Sequence, residues 1–143
     1  INLYRNPVDI VSAKTFADPP LNTITLTRTG SSFVHNGDPV FAVPAHLDGI
    51  PDGPVQVAFH PHHLYPTQIG GAVRLAAKTL ISEIAGSESF VHVDFAGNRW
   101  VMLTRGILDM EPDRSVDIYL DTRHLMAFDA RGNSLATPQQ AAA

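Results

Sequence analysis

The sequence predicts an all-β fold, a small barrel or sandwich, behind one short N-terminal helix. Apolar and polar residues alternate with period two in "NTITLTRTG", "PVQVAF" and "RSVDIYLD", the pattern of strands with one buried face. Asn36-Gly37 stands between the apolar pieces of "SSFVHNGDPVFAV", and Asn-Gly is the strongest short-range hairpin signal. Gly, Pro and Asp cluster between these runs, where turns need them.

Bulk composition narrows the function classes. The 143 residues suit one compact domain, or two very small ones sharing a core, and a chain of this length buries roughly 70% of its unfolded surface. A hydrophobic content of 44% with 17% charged residues argues against disorder. The net charge of −4 and a pI near 5.9 count against a nucleic-acid partner, which needs a basic patch. There is no cysteine, which excludes disulfides and thiolate metal sites and fits a reducing compartment. No apolar run reaches the length of a membrane span, and no signal peptide is legible. Because the first residue is Ile1, the chain reads as a segment of something longer.

In order along the chain, residues 1–20 read as a helix and linker. Asn6 can cap, Pro7 fits the first helical position, Val8, Ile10, Val11 and Phe16 form a loose apolar face, and Pro19-Pro20 end it. Residues 21–136 form the β domain, with strands expected within "NTITLTRTG" (Asn22 to Gly30), on both sides of Asn36-Gly37, and in "PVQVAF" (Pro54 to Phe59). Within "GGAVRLAAKTLISEIAG", Val73, Ala77, Leu80 and Ile84 fall at helical spacing, so local pattern alone predicts a helix there. "SESFVHVDFAGNRWVML" returns to strand: Phe90, His92 and Asp94 alternate with Val91, Val93 and Phe95, and Ala96-Gly97-Asn98 turns the chain. "FDARGNSL" closes with turn residues, and residues 137–143 read as a flexible tail.

No motif for catalysis stands out. Lys14-Thr15 and Lys78-Thr79 follow alanine where a phosphate loop requires glycine, so no ATP hydrolysis is expected of this segment. Ser87, Ser89, His92 and Asp94 lie close in sequence but lack a nucleophile elbow; polar residues on a solvent face explain them. Asp109, Glu111 and Asp113 lack the ligand series and glycine of a calcium loop and read as a solvated acidic turn.

His60, His62 and His63 in "VQVAFHPHHLYP" are the sharpest feature. Histidines two apart on a strand can share a metal, but Pro61 interrupts the strand and no carboxylate is fixed nearby to orient an imidazole. A surface or interface turn is the favoured reading, with His35, His46 and His124 too distant in sequence to assign. No metal is expected, and any further role of the trio rests on imidazole titration near neutral pH.

These residues also carry a family resemblance. "LYRNPVDIVSAKTFADPPLN" resembles the stretch leaving the ATPase domain in ATP-binding subunits of ABC importers of the maltose, sugar and glycerol-phosphate type, through Tyr4, Pro7, Val8, Val11, Phe16, Pro19, Pro20 and Asn22. "VQVAFHPHHLYP" is similar to that family's strand followed by Arg-Pro-Glu-His-Leu. Pro61, His63 and Leu64 match, while His60 and His62 replace the charged pair and put its salt bridges in doubt. The last strands match through His124, Leu125, Phe128, Asp129 and Gly132.

The resemblance implies the transport-associated OB (TOBE) region, with OB-like β-barrels whose strands are shared between the two sequence halves. It replaces the helix over residues 72–84 with a strand. It implies no catalytic residue and no cofactor in this segment, ATP and Mg belonging to the parent ATPase. The implied setting is the cytoplasmic face of a bacterial-type cell membrane, with the parent as a homodimer on permease subunits during sugar import. A regulatory protein or a small ligand is a further possible partner.

Non-catalytic regulation and dimerisation is accordingly the leading function. His60, Pro61, His62, His63, Leu64, Trp100 and Met102 are its candidate interface residues, although core packing explains Trp100 and Met102 equally well. The alternative is an OB module binding an oxyanion or sugar through Arg74, Arg99 and Arg105. A His-based metalloprotein ranks below it, and a nucleic-acid OB-fold last.

Overall fold

A computed structural model describes residues 10–11 and 20–136. The helix and linker expected over residues 1–20 and the tail over 137–143 lie outside the described residues, except that Ile10 and Val11 are helical and Pro20 leads into the first strand. The described residues contain eleven strands and three single turns of 3-10 helix, the all-β, OB-like class expected from sequence. The described residues up to Phe59, with those from Thr122 onward, form one compact unit, and His60–Asp121 form another.

The first unit is built from β1 (Asn22–Thr29), β2 (Ser32–His35), β3 (Asp38–Ala42) and β4 (Gly53–Phe59). The sheet order β11-β10-β4-β1-β2-β3 brings in two strands from the end of the chain, β10 (Met126–Phe128) and β11 (Ser134–Ala136). Met126 lies opposite Ala58 and Ala127 opposite Val57, so both sequence halves share this sheet. Alternation decides its core: Ile24, Leu26, Val55, Val57 and Phe59 point inward and are buried, and Phe33 packs edge-on against Phe41 at 5.5 Å. Asn36 and Gly37 take φ of +51° and +85°, the left-handed pair that a tight hairpin of this type requires.

Two features organise this unit beyond its strands. Ile10 N donates to Gly132 O at 2.7 Å, and Ile10 packs with Ala58, Met126, Phe128 and Leu21. Gly132 has φ +85°, and a Cβ there would lie 3.0 Å from Ile10 Cγ2; glycine lets the entering segment sit directly on the β10–β11 turn. The second feature is Arg28, which follows Ile24 and Leu26 on the inward face of β1. An inward guanidinium must be hydrogen-bonded to be tolerated. Nη1 donates to the carbonyls of Leu47, Asp48 and Ile50 at 3.1, 2.6 and 2.7 Å, and Nε donates to Gly30 O at 2.9 Å. Asp48 and Asp52 stand 3.4 and 3.7 Å from the guanidinium. One side chain thus fastens the loop of residues 43–52 to β1. His46 holds the same loop to the chain end, with Nε2 2.8 Å from Leu125 O.

The second unit contains β5 (Leu64–Tyr65), β6 (Val73–Ala85), β7 (Glu88–Phe95), β8 (Asn98–Arg105) and β9 (Ser115–Leu120). The order is β5-β9-β6-β7-β8, and β5 returns alongside β8 to make a nearly closed, barrel-like sheet. Val91, Val93, Trp100, Met102, Ile118 and Leu120 fill its interior.

Residues 73–85 are strand, as the resemblance implies, and not the helix that local pattern predicts. The reason is a bulge between Thr79 and Ile81. Leu75, Ala77 and Thr79 face inward; after the extra residue, Ser82 and Ile84 stand opposite the inward Val91 and Ser89. A bulge shifts the phase of alternation by one residue, so odd positions followed by even ones imitate helical spacing.

The bulge also exposes anchors for the loop of residues 106–114. Thr79 Oγ1 donates to Glu111 O at 2.5 Å and accepts from Arg114 N at 3.0 Å. Ser82 Oγ accepts from Met110 N at 3.1 Å. Ser89 Oγ donates to Gly106 O at 2.7 Å and accepts from Leu108 N at 2.8 Å. Ser89 is therefore a buried structural hydroxyl, not part of a solvent face. Asp109, Glu111 and Asp113 are exposed, with Glu111 paired to Arg114 and Asp113 to Lys78, each at 2.7 Å.

Candidate functional site

The histidine trio sits where β4 has ended and β5 begins. Pro61 opens a 3-10 turn over Pro61–His63, its fixed φ suiting the first position. His63 N donates to His60 O, and Asp121 N donates to His63 O, both at 3.0 Å. Pro61 and Leu64 are buried, His60 and His63 half-buried and His62 exposed. The turn brings the rings together: centroids are 5.4 Å apart for His60–His62, 6.1 Å for His60–His63 and 4.1 Å for His62–His63. The imidazoles stack and tilt against one another. Among the described residues, no group of three or more His, Cys, Asp or Glu side chains is arranged to hold a metal ion. Chemically, the cluster offers three adjacent imidazole rings at one turn.

Trp100 and Met102 alternate on the inward face of β8 and have no exposed surface. Trp100 stacks on Phe95 with centroids 4.8 Å apart. As candidates for an exposed interface they are corrected: both fill the core, because β8 turns its even-numbered residues inward.

The three arginines do not converge. Arg74 stands opposite Tyr119 near the start of β6, Arg99 opposite Asp94, and Arg105 opposite Glu88 at the far end of β8. Six residues of strand put Arg99 and Arg105 about 20 Å apart. They occupy separate places on the sheet and form no single anion pocket.

Around Arg99 the structure assembles a group that sequence reading missed. On the outward face of β6, β7 and β8, His92 lies between Ile81 on β6 and Val101 on β8. Glu83, opposite Phe90, reaches diagonally to His92, with Oε1 2.6 Å from Nε2. Arg99, opposite Asp94, reaches from the other diagonal, with Nη2 3.3 Å from Nδ1. With Glu83 ionised, Nε2–H donates to the carboxylate and Nδ1 accepts from the guanidinium. Diagonal partners on a sheet lie within reach of long side chains. The only available signal was the shared face of His92 and Asp94; finding Glu83 also required the β6–β7 register and its bulge.

Beside this polar line Ile81 is 50% exposed, and Phe90, Val101 and Leu103 are half-buried, while Lys78, Asp94, Glu88 and Arg105 add further charge to the same face. The line offers a carboxylate, an imidazole and a guanidinium in hydrogen-bonded series beside exposed apolar surface. No protein-family model matches the chain, and no curated protein matches it.

Proposed function

We propose that the chain is the non-catalytic regulatory and dimerisation region of the ATP-binding subunit of an ABC importer for sugars or related small solutes. In this reading it is a TOBE region on the cytoplasmic face of the membrane. It acts through a parent ATPase that supplies the ATP and Mg chemistry and contacts the permease subunits. The supporting observation is the contact of Ile10 with the β10–β11 hairpin in the first unit. Ile10, in the segment that would arrive from the ATPase, is hydrogen-bonded to Gly132 and packed on Met126 and Phe128. A segment docked on the closing hairpin would pass movement of an upstream domain to a stable sheet without needing a catalytic group.

The test is to read the coding DNA immediately upstream of the Ile1 codon. An in-frame phosphate loop within an ABC ATPase is the expected result. A start codon beside Ile1 would overturn the reading.

A further inference from the structure

We infer that the outward face of β6, β7 and β8 is a self-complementary docking surface for a second copy of this chain, centred on His92. The inference deepens the dimerisation reading, and rests on it, by naming the surface through which the copies meet.

Its basis is the placement of charge. Glu83 and Arg99 stand on opposite diagonals of the same histidine. A second copy, turned about a two-fold axis that lies in the plane of the face and crosses that diagonal at His92, places its Glu83 over the first copy's Arg99. Its own Arg99 then covers the first copy's Glu83. An isologous contact demands such self-complementarity. The other charges in reach are Lys78 on β6, Asp94 and Glu88 on β7, and Arg105 on β8. Lys78 is already neutralised by Asp113 at 2.7 Å.

Arg99 has no carboxylate within salt-bridge distance in its own chain among the described residues; its guanidinium is hydrogen-bonded to the Nδ1 of His92 on the same face. Ile81, 50% exposed beside it, and half-buried Phe90, Val101 and Leu103 supply apolar contact. A patch of three strands by four residues covers roughly 200 Å² per partner from standard strand spacings, well below the roughly 800 Å² of a standard interface. The contact is therefore weak alone and becomes effective when the copies are tethered.

The experiment is sedimentation equilibrium of the 143-residue chain over a wide concentration range, with circular dichroism confirming the fold of each variant. A weak monomer–dimer equilibrium is expected. Glu83→Arg or Arg99→Glu alone places like charges opposite each other and weakens dimerisation roughly tenfold or more. The double swap Glu83→Arg/Arg99→Glu restores it. Ile84→Asp, on the other side of β6, leaves it unchanged. The inference is overturned by a strictly monomeric wild type, by single swaps without effect, by a double swap that does not restore association, or by loss of the dimer in Ile84→Asp alone. None of these outcomes bears on whether an ATPase is encoded upstream, so the two readings fail separately.

Discussion

In the first sheet, the loop of residues 43–52 is held chiefly by one charged group, the inward guanidinium of Arg28, with His46 adding a single contact to Leu125 O. In the second, the loop of residues 106–114 hangs on three neutral hydroxyls, those of Thr79, Ser82 and Ser89. Both loops bring backbone polar groups to the end of a sheet, where each must find a partner. Arginine satisfies several carbonyls at once from one position but requires its charge to be taken out of water. Hydroxyls each satisfy one or two groups at little desolvation cost. The first arrangement concentrates most of its side-chain hydrogen bonds in a single residue; the second spreads them along a bulged hairpin.

The largest effect is expected from Arg28→Met, which keeps the apolar stem and removes the guanidinium donor from four carbonyls, those of Gly30, Leu47, Asp48 and Ile50. A loss of about 3 kcal/mol in urea-induced unfolding follows from typical costs of unsatisfied buried groups. A loss below about 1 kcal/mol would mean that water replaces the guanidinium and that the contrast between the sheets is false. Thr79→Val preserves shape and removes the hydroxyl that both donates to Glu111 O and accepts from Arg114 N. About 2 kcal/mol is expected, with faster amide exchange confined to residues 106–114. Ser82→Ala leaves only the Met110 amide without its partner, and about 1 kcal/mol is expected by the same measurement. Should Ser82→Ala cost as much as Arg28→Met, the hydroxyl anchoring is not distributed after all.

Lys78→Met marks the low end. Hydrogen bonding to Asp113, and then the charge of that carboxylate, raise the Lys78 pKa above the ordinary lysine range. A raised folded-state value favours the protonated form, so its contribution is complete below the unfolded lysine pKa and is lost as pH rises through the folded one. The pair is solvent-exposed, so no resolvable change in thermal midpoint is expected at neutral pH.

How much of this was legible follows from the range of the interactions involved. Strands, the Asn36-Gly37 turn and the burial of Val55, Val57 and Phe59 rest on local alternation and local φ preference, and sequence carries both. The bulge in β6 was misleading because a phase shift looks like another period. Arg28 was invisible because a charged residue at a strand end normally faces water, and nothing local announces the Leu47, Asp48 and Ile50 carbonyls. β10 and β11 read as little more than a turn, since three-residue strands carry almost no periodicity. At the candidate site, the proximity of the three histidines was local and readable. The Glu83–His92–Arg99 line depends on two strand registers and was not.

The return of β10 to β4 also constrains the timing of synthesis. In the second unit every strand lies within residues 60–121, so its hairpins can pair as soon as they leave the ribosome. The first unit cannot complete its sheet until Met126–Phe128 emerge to meet Gln56–Ala58, some seventy residues later. Contacts across such separations are slow to form because the chain between them must first be confined. The exposed edge of β4 therefore waits while the second unit folds, and the nascent chain is most open to mispairing just before its last two strands appear.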